Sequence, residues 1–227
     1  MRAAQVRDFK EAMGRVDPDI PLLCLCGNHD IGNRPNAVTI RGFSENFGDD
    51  YFSFRCGGVR CIVVNSQLWE DDTDAKALRE EMDEWLEKEC AGPPVPTLVF
   101  SHIAPFVFDQ EEKDEYFNLR RDVRARWLRR FAECGARGWF AGHYHRNAGG
   151  RFRDEAGREV EVVVTAAVGT QIVDRPGGEP LGLSGIGEHR IGEDASGLRL
   201  VHVRRGGAFS HEWKTFAELR KEGAAAP

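Results

Sequence analysis

The sequence predicts an α/β fold, and three observations carry the prediction. Three strand-like runs, Leu22 to Cys26, Thr97 to Ser101 and Gly138 to Ala141, have the length and composition of buried strands. Segments whose apolar residues recur at helical spacing lie between them. Each run ends on residues with ligand or acid/base chemistry: Asn28-His29-Asp30, then His102, then His143-Tyr144-His145. The ends of strands are where open α/β sheets place their sites.

Taken in order, Val6, Phe9, Met13 and Val16 recur near helical spacing and predict an amphipathic helix at the start of the chain. The strand Leu22 to Cys26 follows, apolar on both faces as a central parallel strand is, and then a loop from Asn28 to Pro35. Tyr51 to Arg55 and Arg60 to Asn65 read as a hairpin turning at Gly57-Gly58. Leu78, Met82, Trp85 and Leu86 mark a helix that begins near Thr73 or Asp74 and is stopped by Gly92-Pro93-Pro94; its stripe is core packing. After the second strand, Phe106 to Glu115 forms an acidic, aromatic loop, read equally well as an overhang above a site or as a solvated connection. Asn118 is the expected N-cap of a helix carrying Val123, Trp127, Phe131 and Cys134 and closed by Gly135. The six arginines crowding that helix, Arg120, Arg121, Arg124, Arg126, Arg129 and Arg130, are expected mostly on its solvent face. Residues 174–197 hold seven glycines but no nucleotide-loop context, and read as a flexible loop near the substrate. Leu198 to Val203 and Ala208 to Trp213 supply a last hairpin, followed by a short helix and an Ala-rich tail.

At 227 residues, 41% hydrophobic and 30% charged, the chain suits one domain with a sizeable core. The net charge of −6 offers no electrostatic reason for nonspecific nucleic-acid or membrane binding, and neither partner is expected. No apolar run approaches the ~20 residues needed to span a bilayer. Six cysteines in strand and helix-end settings read as reduced thiols, which with the absence of a signal peptide predicts a cytoplasmic protein.

The imidazoles are the informative part. Strand side chains alternate faces, so His143 and His145 are expected to point the same way, and two neutral imidazoles at a strand end suit transition-metal ions. A lone histidine in an alternating strand pattern, such as His202, reads as structural or surface, and His189 and His211 are read likewise. Gly27-Asn28-His29-Asp30, His102 after a strand, and Gly142-His143-X-His145, in that order, together point to a metallohydrolase.

These blocks resemble the calcineurin-like metallophosphoesterases. The resemblance extends through Asp17 to Pro21, Gly48 to Phe54, Asn65-Ser66-Gln67, Tyr116 to Leu119 and Arg146 to Gly150, and looks like the serine/threonine phosphatase branch of that family. It implies the family's four-layer α/β/β/α sandwich, and hydrolysis of phosphomonoesters, of phosphorylated proteins or small phosphoesters, by hydroxide activated between two divalent ions. Manganese, iron and zinc all accept such mixed N/O ligands. By the resemblance, Asn28, His102 and His143 serve one ion and His145 the other. His29 protonates the leaving alkoxide, Asp30 orients His29, and Arg146 contacts a phosphate oxygen. The family's first two blocks, Asp-X-His and Gly-Asp-X-X-Asp, do not occur before Gly27. The resemblance therefore implies a domain over residues 1–221 that lacks its opening β-α-β portion, with a tail at 222–227. The alternative reading is a catalytically inactive interaction module or a truncated fragment of such an enzyme.

Overall fold

The computed structural model describes residues 3–169, 172–173, 190–191 and 196–225. The glycine-rich stretch up to Ser196, with His189 in it, lies mostly outside them. Helix α1 (Ala3–Met13) matches the opening apolar stripe, and α2 (Asn28–Ile31) is a single turn. Helix α3 (Ala37–Phe47) starts at a capping box: Asn36 Oδ1 accepts from the Val38 and Thr39 amides, while Thr39 Oγ1 accepts from Asn36 N–H. Strands β1 (Phe52–Cys56) and β2 (Val59–Val63) form the expected hairpin, with Gly57 and Gly58 at φ of 58° and 85°, which only glycine adopts cheaply in a two-residue turn. After α4 (Gln67–Glu70) comes α5 (Lys76–Glu89), then β3 (Thr97–Phe100), α6 (Arg121–Glu133) and β4 (Ala136–Ala141). Strands β5 (Ala148–Arg153) and β6 (Glu159–Val164) pair antiparallel, as do the two-residue strands β7 (Ile172–Val173) and β8 (Arg190–Ile191). The chain continues through the hairpin β9 (Gly197–Val203) and β10 (Phe209–Thr215) into α7 (Phe216–Ala225).

The main sheet runs β1-β2-β3-β4-β6-β5, with β2, β3, β4 and β6 parallel and antiparallel strands at both edges. One face is covered by Met82 and Leu86 of α5 and by Val123, Trp127, Leu128 and Phe131 of α6. Burying side chains of this size stabilises by roughly 1.5–3 kcal/mol each. Three indoles anchor that layer: Trp69 stacks on Trp127 at 5.3 Å between ring centres and meets Trp139 at 6.3 Å. The opposite face, made of Val59, Cys61, Leu98, Phe140 and Val163, is covered by Val201, Val203 and Phe209 of the β9–β10 hairpin. The α/β class is therefore observed, as helices, sheet and hairpin in layers.

Several expectations are corrected. Residues 22–26 join no sheet: β2 pairs with β1 and β3 and not with them, and Leu22 and Leu23 stay half exposed. Asn118 is not a helix cap. Its amide donates to Glu112 and to the Lys113 carbonyl, and its Oδ1 accepts from Glu115 N–H, while Asp114 Oδ1 accepts from the Arg121 amide at the helix start. Arg124 is not on the solvent face but 1% exposed, donating to the carbonyls of Gln110, Glu112 and Leu119. Helices α3 and α4 and strands β5 and β6 were not expected. All six cysteines are free.

Candidate metal centre

The parallel strands set the site. The turn after Gly27 and the C-terminal ends of β3 and β4 meet, and Gly142 N–H donates to the His102 carbonyl at 3.0 Å, tying the second and third segments together. Gly27 lies against the His102 ring so closely that a Cβ there would stand 2.7–2.9 Å from three ring atoms. Beyond Ala141 the chain is no longer a strand. His143 and His145 take φ of 63° and 57°, left-handed conformations costing about 1–3 kcal/mol each, and Tyr144 N–H closes onto the Gly142 carbonyl at 2.7 Å. The strand alternation expected for the two histidines is thus replaced by a turn. Between them Tyr144 is buried against Phe117 and Phe108.

The turn brings three donor atoms together. His102 Nε2 is 2.9 Å from Asn28 Oδ1 and 3.1 Å from His143 Nδ1. Metal–donor bonds of about 2.0–2.2 Å put neighbouring donors about 3 Å apart, so these spacings fit the edges of one coordination sphere. His143 Nε2 lies 3.0 Å from the Tyr116 carbonyl, an acceptor only, so that nitrogen carries the hydrogen and Nδ1 the lone pair. His102 Nε2 therefore faces two acceptors. Burial, reinforced by His143, His145 and His29, pushes the His102 pKa down to about 3. Burial likewise lowers His143 to about 4, against the Tyr116 hydrogen bond, which acts the other way. Both rings are neutral at physiological pH. Among the described residues no three His, Cys, Asp or Glu side chains form a metal cluster; the convergent set is one amide and two imidazoles.

The other expected residues are less tightly placed. His29 is exposed and lines, with Phe9, Leu22, Leu23 and Phe43, an open apolar groove of about 430 Å³. Asp30 Oδ2 accepts from the Gly27 amide at 2.8 Å, closing the α2 turn, and no described hydrogen bond joins it to His29. His145 is half-buried with Nδ1 unpartnered. Arg146 lays its guanidinium over the Tyr144 ring at 4.0 Å, and its buried Nε and Nη2 have no partner. His202 is exposed beside Glu212, and His211 Nδ1 accepts from Arg199 Nη1 at 2.7 Å, in keeping with structural roles. Tyr116, which touches both Asn28 and His143, enters the sequence reading only as the start of the Tyr116 to Leu119 stretch of the resemblance, with no role given to it.

No family model matches the chain. The chain is 37% identical over 226 residues to the serine/threonine-protein phosphatase CPPED1 of Danio rerio, covering 98% of this chain and 65% of that one. Identity to the proteins of the same name from Bos taurus and Homo sapiens is 38% and 35%, over 98% of this chain and 64% of each relative. The chain thus spans a little under two thirds of the length of these relatives. A solved structure, a putative 5'-nucleotidase from Staphylococcus aureus, aligns at a TM-score of 0.41 and 16% identity over 72% of this chain and 34% of that one, a likeness too slight to build on.

Proposed function

We propose that the chain is a calcineurin-like metallophosphoesterase that acts as a divalent-metal-dependent phosphomonoesterase on phosphoserine or phosphothreonine in proteins, a reading supported by its likeness to the CPPED1 serine/threonine-protein phosphatases. The observation that carries this reading is the convergence of Asn28 Oδ1, His102 Nε2 and His143 Nδ1 with spacings of 2.9 and 3.1 Å. These three atoms would hold one ion, and the unpartnered Nδ1 of His145 is free to serve a second. Bound divalent ions supply Lewis acidity, lowering the pKa of water toward about 7 and neutralising phosphate oxygens.

The chain's own residues supply the rest. His29, exposed beside the centre and next in sequence to Asn28, is the proton donor to the leaving alkoxide, the step on which alkyl phosphates depend most. Asp30 holds the turn that presents His29. Arg146 has two guanidinium nitrogens, Nε and Nη2, without a hydrogen-bond partner and a planar fork suited to a phosphate oxygen pair. Six free thiols support a reducing, cytoplasmic compartment. No described helix is long and apolar enough to cross a membrane.

A second reading, a catalytically silent relative, is favoured by one observation: no carboxylate completes the described donor set. One experiment separates the two. Mn²⁺ binding and turnover of an aryl phosphate and a phosphoserine peptide are measured for the wild type and His143→Ala. Turnover that needs Mn²⁺ and vanishes in the variant supports the enzyme; Mn²⁺ binding without turnover supports the silent relative.

A further inference from the structure

We infer that Tyr116 is a positioning residue for the centre, fixing the tautomer of His143 and the amide orientation of Asn28 so that both turn a lone pair toward His102 Nε2. The inference rests on the reading of Asn28, His102 and His143 as ligands of one ion. Two separate groups of Tyr116 make the contacts. Its carbonyl accepts from His143 Nε2 at 3.0 Å, and its phenol oxygen accepts from Asn28 Nδ2 at 3.0 Å. An imidazole has two nitrogens of similar basicity, and an amide has two ends of similar size. Left alone, each samples both arrangements, and only one arrangement of each donates to the shared point. The carbonyl takes the hydrogen of His143 and leaves Nδ1 as the donor; the phenol takes the amide N–H of Asn28 and leaves Oδ1 facing inward. The phenol ring packs on His143 at 4.6 Å, so the same side chain also limits tilting of the imidazole.

The loop that delivers Tyr116 is built to hold it still. The Glu112 carboxylate accepts from the amides of Val107, Phe108 and Asp109, and from the Asn118 amide. Buried Arg124 gathers the carbonyls of Gln110, Glu112 and Leu119. Phe117, Asn118 and Leu119, directly after Tyr116, are buried, while Tyr116 itself is 44% exposed. An aromatic residue held at the surface by an otherwise anchored loop, with its polar atoms spent on two candidate ligands, is placed for those contacts rather than for packing.

The test uses Co²⁺ affinity, thermal stability and the ¹⁵N shifts of the imidazole nitrogens in the 227-residue protein. Metal-free wild type should show His143 as the Nε2–H tautomer. Tyr116→Phe keeps the carbonyl and the ring but loses the amide contact, so Co²⁺ affinity should fall about tenfold with the melting temperature little changed. In an Asn28→Asp background the two carboxylate oxygens are equivalent and need no orienting, so adding Tyr116→Phe should then cost nothing. An Nδ1–H tautomer for His143, undiminished affinity in Tyr116→Phe, or an equal loss in both backgrounds would overturn the inference. If the wild type takes up no Co²⁺, the ligand reading fails by itself. The inference as worded is then decided by the tautomer signal alone, Nε2–H upholding it and Nδ1–H overturning it.

Discussion

At Gly27 one absent carbon decides where His102 can stand. The backbone there has φ −127°, open to any residue, so the requirement is purely one of room. Gly27→Ala should displace the imidazole from Asn28, cost about 1–3 kcal/mol in urea denaturation and weaken Co²⁺ binding; an unaltered midpoint would show that the ring can give way freely. The buried imidazoles also set an acid limit. His102 and His143 are held at about 3 and about 4, whereas in the unfolded chain each titrates near 6.5. Below about pH 6.5 the unfolded chain therefore takes up protons that the native protein refuses, and acid favours unfolding by up to about 1.4 kcal/mol per pH unit per ring. Above that range the two states bind these protons equally and the effect is absent. Between pH 7 and pH 5 the metal-free wild type should lose about 2 kcal/mol more than His102→Gln, as read by urea midpoints at both pH values; equal losses would refute the assignment. The motifs named Asn28, His102 and His143 from sequence because each block is a short, recognisable run, although the strand expected before Asn28 does not form. The turn at His143 and His145 was hidden, since left-handed geometry in a non-glycine residue leaves no mark in composition.

Among the elements, α6 and the loop before it depend on each other. Arg124 reads in the sequence like any of its five arginine neighbours, and only the loop folding back over it makes it a buried donor to three carbonyls. Arg124→Met should leave those carbonyls unpaired, destabilise by about 2–4 kcal/mol and open residues 107–119 to limited proteolysis. Resistance equal to the wild type would mean that Glu112 holds the loop unaided. The Gly57-Gly58 hairpin and the stripes of α5 and α6 were legible because turn chemistry and periodicity are short-range signals. Strand β6 and helix α3, though not expected, also leave short-range marks, in the alternation of Glu159 and Glu161 with Val160 and Val162 and in the Asn36-Thr39 box. The strand expected at 22–26 failed for the opposite reason. Its apolar composition was right, but a strand exists only through a neighbour, and composition cannot supply one.

Across the whole molecule, the parallel order β2, β3, β4, β6 places the ends of β3 and β4 side by side, which is why residues 102 and 143 meet although far apart in the chain. The same plan leaves Ile20, Leu22 and Leu23 exposed by 60%, 49% and 50% next to the groove at Phe9 and Phe43. A contiguous apolar surface of this kind promotes association. The 227-residue protein should bind an apolar dye and self-associate with rising concentration in light scattering. Leu23→Lys should reduce both with little loss of melting temperature; unchanged scattering would place the sticky surface elsewhere. The indole cluster of Trp69, stacked on Trp127 and met edge-on by Trp139, has an optical consequence. Chromophores this close and this rigid couple their transitions, so near-ultraviolet circular dichroism should carry a strong tryptophan couplet that vanishes once side-chain packing is lost. Because the Trp139 indole donates to Ser101, the residue before His102, that couplet gives the protein an inherent colour signal for events at its centre.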